Sequence, residues 1–182
     1  MAMTMRSGCG WFTVGFSETV VVRCLRAIAL ILSWLPPALA AAGSSLPPAQ
    51  DLAADARDMR ARGTVMLVLF SQAGCRWCER ARNEVLLPLA GDPASTRRVV
   101  LREVALDNDA PLTDFAGRSA THRRFAAEEG VRLTPTLVVY GPDGKRLAEP
   151  IVGFRLADFY AEYVNRAIEE GLARLGSPSR RD

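Results

Sequence analysis

The sequence predicts a small α/β domain in which a mixed sheet carries helices on both faces. Three observations support this prediction: apolar runs alternate with helical segments, a Pro-Asp-Gly turn joins the last two strands, and 49% of the 182 residues are hydrophobic. Alternating strands and helices favour parallel pairing, whereas the Pro-Asp-Gly turn predicts an antiparallel hairpin. The length suits one domain with a short appendage.

The N-terminal residues are typical of a cleavable export signal. Arg23 and Arg26 precede an apolar run at 27–35, which Pro-Pro and a stretch of small residues follow. This order is that of a secretory signal, and the run is shorter than the about 20 residues that a membrane span needs. We expect cleavage after Ala40 or Ala42 and a periplasmic location, with an uncleaved membrane anchor as the alternative.

The segment before this signal is long and weakly charged, so we expect translation to begin downstream of Met1, near residues 20–22. Removal of residues 1–40 takes away two of the four cysteines. Cys75 and Cys78 remain, in a C-x-x-C. The two thiols of the expected mature protein are therefore three positions apart in the sequence.

The elements follow in order along the remaining chain. Apolar residues at helical spacing predict a first helix at 49–62, which Gly63 ends. The continuous apolar run at 65–70 predicts a fully buried strand. The next helix begins at Cys75, and Pro88 is expected to kink or end it. A second strand, an irregular insertion, a helix, a third strand, an edge strand shortened by a proline and a last helix follow at 99–106, 108–119, 120–129, 137–140, 146–152 and 156–172.

Four segments result from these assignments. They are a signal peptide, a Gly-, Ser- and Pro-containing linker, one folded domain and a flexible tail, at 1–40, 41–48, 49–172 and 173–182. The 23 basic and 20 acidic residues are interspersed, so nucleic acid is not an expected partner.

A C-x-x-C that begins a helix just after a buried strand suits thiol–disulfide exchange. The free N–H groups and the dipole of the helix start favour an anion, so Cys75 is the candidate attacking thiolate. Arg76 adds a positive charge beside it, and Arg80 and Arg82 can add to this positive field. Cys78 follows one turn later, where it can attack a mixed disulfide and release the substrate.

Three alternatives compete with this interpretation of the C-x-x-C. A structural disulfide suits an exported protein, but so small a ring removes little chain entropy. A zinc or copper site would need ligands beyond His122 and carboxylates, so we expect no metal and no other cofactor. Covalent haem attachment needs histidine directly after the second cysteine, where this chain has Glu79.

Residues 67–78 and 130–140 resemble the thioredoxin superfamily, and the Gly-Pro-Asp-Gly-Lys turn and the Gly153-Phe154 pair match it as well. The resemblance covers residues 49–172 and is closest to exported thioredoxin-like proteins of the SoxW or thioredoxin-related kind. It implies a thioredoxin-like mixed sheet with helices on both faces.

The resemblance also implies a cis peptide bond before Pro135 that faces the C-x-x-C, whereas sequence alone would favour an ordinary trans proline. The backbone of Thr134 would pair with a substrate strand, and Trp77 would either form an apolar rim for substrate or simply pack. The implied site then consists of the catalytic Cys75, Cys78 and Pro135 and the substrate-binding Arg76, Trp77 and Thr134.

Two departures from thioredoxin proper affect proton handling. Leu69 stands where that protein has a buried Asp, and Arg76-Trp77 replaces the common Gly-Pro. Glu103 is either a substitute acid near Cys78, as a proton relay, or a solvent-facing strand residue. His122 is expected at the surface.

The function implied is a periplasmic thiol–disulfide oxidoreductase that reduces client proteins and is itself reduced by a membrane thiol electron donor. Stabilisation of the thiolate would favour the opposite, oxidising direction. The alternative is a non-catalytic chaperone or metal-delivery module on the same fold. A dithiol peroxidase is a third hypothesis, although residues 108–119 carry no peroxidatic signature.

Overall fold

The computed structural model describes residues 45–155 and 157–176. The expected signal peptide, the first part of the linker and the last residues of the tail lie outside this range. Within it, no helix is long and apolar enough to cross a membrane.

Six helices and six strands form the described part of the chain. The helices are α1 (Leu52–Arg62), α2 (Arg76–Arg80), α3 (Leu87–Gly91), α4 (Pro93–Thr96), α5 (His122–Glu128) and α6 (Tyr160–Gly176), with a π-helical turn at Ala81–Leu86 and a 3-10 turn at Ala157–Phe159. The strands are β1 (Val65–Ser71), β2 (Val99–Ala105), β3 (Pro111–Thr113), β4 (Ser119–Thr121), β5 (Thr136–Tyr140) and β6 (Ile151–Val152).

The main sheet has the order β2-β1-β5-β6. β1 pairs parallel with β2 and antiparallel with β5, and β5 pairs antiparallel with β6. All seven residues of β1 are buried because this central strand is covered on both faces. The predicted parallel start and antiparallel end of the sheet are confirmed.

Helices cover both faces of this sheet, as predicted. On one face, Leu52 and Met59 of α1 and Phe125 of α5 belong to one apolar cluster with alternate residues of β1 and β5. On the other face, the π-helical turn and α6 contribute Leu86 and Val164 to a second cluster. The C-x-x-C lies on this second side, at the start of the helical run that begins at Arg76 and leads to Leu86.

The first helix begins at Leu52, three residues later than predicted. Ala49 is still extended, since its N–H donates to the carbonyl of Glu103 at 2.9 Å, and Asp51 caps the helix by accepting from Ala54 at 2.8 Å. The end of the expected linker also packs onto the domain, because Leu46 is buried in the core.

The helical run after the C-x-x-C continues to Gly91, past Pro88. Proline lacks an N–H, and its ring collides with the carbonyl four residues earlier in a regular α-helix. The wider π-helical turn that precedes α3 removes this conflict, and the N–H of Leu87 reaches the carbonyl of Arg82. Of the kink or end predicted at Pro88, the end does not occur, and the helix is locally widened before the proline instead.

The insertion predicted as irregular is partly a hairpin, so that prediction is wrong. β3 lies inside it and pairs antiparallel with β4, which begins at the last residue of the insertion. The turn between them is held by Asp114, whose Oδ1 accepts from the N–H groups of Ala116 and Arg118 at 2.9 and 2.8 Å. Thr121 then caps α5, which begins at His122 because the preceding two residues are in β4.

The C-terminal elements differ from the prediction in length. The edge strand is reduced to Ile151–Val152 after Pro150, in line with the expected shortening. α6 extends to Gly176, so residues 173–176, predicted as tail, are helical. The reason is packing, since Leu172 and Leu175 lie against the apolar cluster.

Candidate active site around the Cys75–Cys78 disulfide

Cys75 and Cys78 form a disulfide at the start of α2. Cys75 is the N-cap of this helix, and its Sγ accepts a hydrogen bond from the backbone N–H of Cys78 at 3.1 Å. The two sulfurs differ in access: Cys78 is 1% exposed, whereas Cys75 is partly exposed. Only Cys75 is therefore open to another molecule.

The loop before β5 faces this disulfide. The Thr134–Pro135 peptide bond is cis, as the resemblance implies. The Thr134 Oγ1 donates to the Sγ of Cys75 at 3.5 Å. The carbonyl of Pro135 accepts from the N–H of Gly153 at 2.7 Å, which ties the loop to the segment after β6. Two distant segments of the sequence thus meet at one sulfur atom.

Trp77 forms an aromatic and cationic cluster beside the disulfide. Its ring is 40% exposed and stacks on Phe154 with the centroids 6.2 Å apart. The guanidinium of Arg76 lies 4.6 Å from the Trp77 centroid. Arg80 lies over both rings, at 5.5 Å from Trp77 and 4.8 Å from Phe154. Trp77 therefore both packs and presents an apolar edge to solvent.

Sequence reasoning gave Phe154 no role in the site and treated Arg80 only as a possible source of positive charge. The signal for Arg80 is its spacing from Arg76, which places both side chains on one side of the helix. Phe154 follows β6, far from the C-x-x-C in sequence, so only the tertiary fold brings it to Trp77.

The side chain of Glu103 is largely buried and forms an ion pair. It is 15% exposed and pairs with Arg82 of the π-helical turn. The Ser71 hydroxyl donates to its Oε1 at 2.6 Å, and Arg82 Nε donates to its Oε2 at 3.1 Å. Both carboxylate oxygens accept hydrogen bonds. This geometry suits a fixed ion pair better than a proton relay.

His122 is buried, and the expectation of a surface histidine is wrong. It is 4% exposed. Its Nδ1 accepts from the N–H of Ala105 at 3.2 Å, and its Nε2 lies 2.8 Å from the carbonyl of Ala49. Burial lowers the pKa of the imidazole, although the bond to Ala49 acts in the opposite direction. The histidine joins three segments of the fold and lies apart from the cysteines in the hydrogen-bond network.

Among residues 45–155 and 157–176, no three His, Cys, Asp or Glu side chains are arranged to hold an ion. The geometry suits thiol–disulfide exchange. It combines the accessible sulfur of Cys75, the buried sulfur of Cys78 and a loop edge against which another chain can lie.

The sequence matches a known domain family over both segments of this site. The sequence profile of the thioredoxin-like domain matches residues 52–168. No curated protein matches the chain. The chain is similar to the periplasmic thioredoxin SoxS from Paracoccus pantotrophus, at 20% identity over 58% of this chain and 97% of that one, with a TM-score of 0.42.

Two further solved structures are similar to the chain. Mitochondrial thioredoxin 3 from Saccharomyces cerevisiae is 17% identical over 71% of this chain and 99% of that one, with a TM-score of 0.46. A thioredoxin from Thermus thermophilus is 22% identical over 76% of this chain and 99% of that one, with a TM-score of 0.45. The profile match spans most of the chain and includes both segments of the site, and the chain belongs to the thioredoxin-like domain family.

Proposed function

We propose that this thiol–disulfide oxidoreductase is exported to the periplasm and reduces disulfides of client proteins. One observation carries the proposal: the partly exposed Cys75 faces the cis-proline loop, while its partner Cys78 is buried behind it. Such asymmetry fits an attacking and a resolving thiol. The export segment and the two remaining cysteines support the location, since disulfides persist in that compartment.

The reaction begins with the reduced protein. The Cys75 thiolate attacks one sulfur of the client disulfide, that S–S bond breaks, and the second client sulfur leaves as a thiolate and takes up a proton. A mixed disulfide now joins the client to Cys75. Cys78 loses its proton and attacks Cys75, and the first client sulfur leaves in turn. Two electrons have passed to the client, and the Cys75–Cys78 disulfide has formed.

The chain's own residues contribute position and charge to these steps. The Cys78 N–H points at the Cys75 sulfur, which stabilises negative charge there. The Thr134 hydroxyl does the same from the loop. Regeneration needs an external dithiol, and a membrane thiol donor is the partner we propose in an oxidising compartment.

Insulin reduction tests the activity. With dithiothreitol as the electron source, the protein without residues 1–40 should accelerate precipitation of the insulin B chain, and Cys75→Ser should act at the background rate. An inactive wild-type protein would contradict the proposal and favour the binding-module alternative.

The direction of transfer needs a separate measurement, because the same cysteines can oxidise or reduce. Equilibration with glutathione buffers gives the reduction potential. A value below about −200 mV is expected for a reductase, and a value near about −120 mV would mark a strong oxidant and contradict the proposed direction.

A further inference from the structure

Two shallow cavities share Val152 of β6, and one of them is also lined by the loop that faces the disulfide. One, about 280 Å³, is lined in part by Arg132 and Leu133. The other, about 210 Å³, is lined in part by Arg155 and Tyr163. Leu133 and Val152 are 65% and 44% exposed. A segment of another chain lying along both cavities would cover this apolar strip beside the reactive sulfur.

Exposed arginines without an acidic partner among the described residues line the two cavities and stand next to Cys75 in the sequence. Arg76 is next to Cys75 in the chain, and Arg132 is two residues before Thr134. Three arginines are exposed there and form no ion pair within residues 45–155 and 157–176, namely Arg76, Arg132 and Arg155. Their charges are available to a partner.

The charged residues that line the two cavities are all arginines, namely Arg132, Arg146 and Arg155, and Arg146 is paired with Glu129. Glu149 lies outside this lining, although it is exposed and forms no ion pair within the described residues. The uncompensated charge that lines the two cavities is therefore positive. A partner with carboxylates opposite Arg132 and Arg155 would form ion pairs with these arginines, which have no acidic partner within the described residues.

We propose that this surface selects client segments in which acidic residues flank the reactive cysteine. An apolar residue lies between these acidic residues. The inference rests on the proposed function and names its substrate class. The apolar residue would lie against Leu133 and Val152, and the carboxylates would reach Arg132 and Arg155. Charge complementarity at the rim of an interface mainly speeds encounter and weakens with salt.

A matched set of peptides tests the selection. Three peptides share one internal disulfide and differ only in the residues that flank the cysteines, which are Glu, Gln or Lys. The rate constant for reduction by the pre-reduced protein is measured at 50 and 500 mM NaCl. The Glu peptide should react about three- to tenfold faster than the Lys peptide at low salt, and the ratio should shrink at high salt.

Variants then assign the preference to the arginines. In Arg132→Gln/Arg155→Gln, the Glu-to-Lys rate ratio should fall close to one. Arg57→Gln is the matched control, since Arg57 is exposed and unpaired within the described residues but lies on α1, and its ratio should equal that of the wild type.

The outcomes separate this inference from the proposed function. If the wild type reduces no peptide, the proposed function fails. If it reduces all three at equal rates, or if the double variant keeps the wild-type ratio, the function stands and the acidic selection is overturned.

Discussion

His122 is a histidine that the fold needs in its neutral form. Its Nδ1 accepts from the N–H of Ala105, so the proton is on Nε2, where it is donated to Ala49. Protonation would place a second proton against the Ala105 N–H inside the core. Because His122 is the single histidine of the chain, nothing else in the protein titrates as an imidazole.

Stability should therefore fall on mild acidification. Burial lowers the pKa of folded His122, so the unfolded chain binds a proton first as pH falls below about 6.5. The stabilisation is complete above that pH and is lost below it, with a slope of at most about 1.4 kcal/mol per pH unit. Urea unfolding at pH 7.5, 6.5 and 5.5 measures it.

The matched variant for this pH dependence is His122→Gln. It should be less stable than the wild type at pH 7.5 and show a flatter dependence between pH 6.5 and 5.5. An equally steep dependence in the variant would show that another group is responsible.

Glu103 should act in stability rather than in catalysis. Glu103→Gln leaves the half-buried Arg82 without its counter-charge, and we expect a loss of about 1–3 kcal/mol in the free energy of unfolding. The exposed pair of Glu170 with Arg174 provides the control, and Glu170→Gln should change stability by less than about 1 kcal/mol.

A second measurement on Glu103→Gln addresses the proton-relay hypothesis. The pH dependence of Cys75 alkylation by iodoacetamide should match that of the wild type, because Glu103 is held by Arg82 and Ser71. A shift of this pH dependence in the variant would indicate that Glu103 acts as a proton relay.

At the scale of elements, the contact of α6 with the sheet depends on a glycine. A Cβ at Gly171 would lie 2.7 Å from Cγ1 of Val139 and 3.5 Å from Cγ1 of Val65. Alanine in a helix gains up to about 1 kcal/mol over glycine, but overpacking a rigid core costs about 1–3 kcal/mol. We expect Gly171→Ala to destabilise the protein on balance, as chemical denaturation would show.

Two further variants define the cause. Adding Val139→Ala to Gly171→Ala should cost less than the sum of the single changes, because it removes the colliding methyl group. Gly91→Ala has open space at the end of α3 and should be neutral or slightly stabilising. Additive effects of the pair would refute the packing argument.

The main elements could be predicted because their sequence patterns are long. The buried run of β1 and the turn before β6 determine strand type and pairing from local chemistry. The three-residue strands β3 and β4 carry no such period, and only their pairing with each other and the Asp114 turn makes them strands. The late start of α1 has a similar cause, since a backbone bond to β2 keeps Ala49 extended.

Part of the site could be predicted because it, too, has a local sequence pattern. The spacing of Cys75 and Cys78 and the resemblance around Pro135 indicate two halves of it. The cluster of Arg80 and Phe154 with Trp77 depends on how α2 lies against the segment after β6, which no local pattern encodes. The burial of His122 likewise depends on three segments converging.

At the scale of the whole molecule, export should precede function. When the full sequence is expressed in a bacterium with a periplasm, we expect the mature protein there, beginning at Ala41 or at Gly43. Mass spectrometry of the N-terminus measures this. Leu30→Arg should block processing, because it puts a charge in the apolar run. A wild-type protein that retains Met1 would contradict both export by cleavage and the downstream start.

The account depends on the unequal roles of the two sulfurs, and single-cysteine trapping tests them directly. Cys78→Ser and Cys75→Ser are each incubated with a disulfide-containing client and separated without reductant. Cys78→Ser should accumulate the mixed disulfide, since Cys75 is accessible and its resolving partner is gone, whereas Cys75→Ser should trap almost none because Cys78 is buried. Equal trapping by both variants, or trapping by Cys75→Ser alone, would contradict the account.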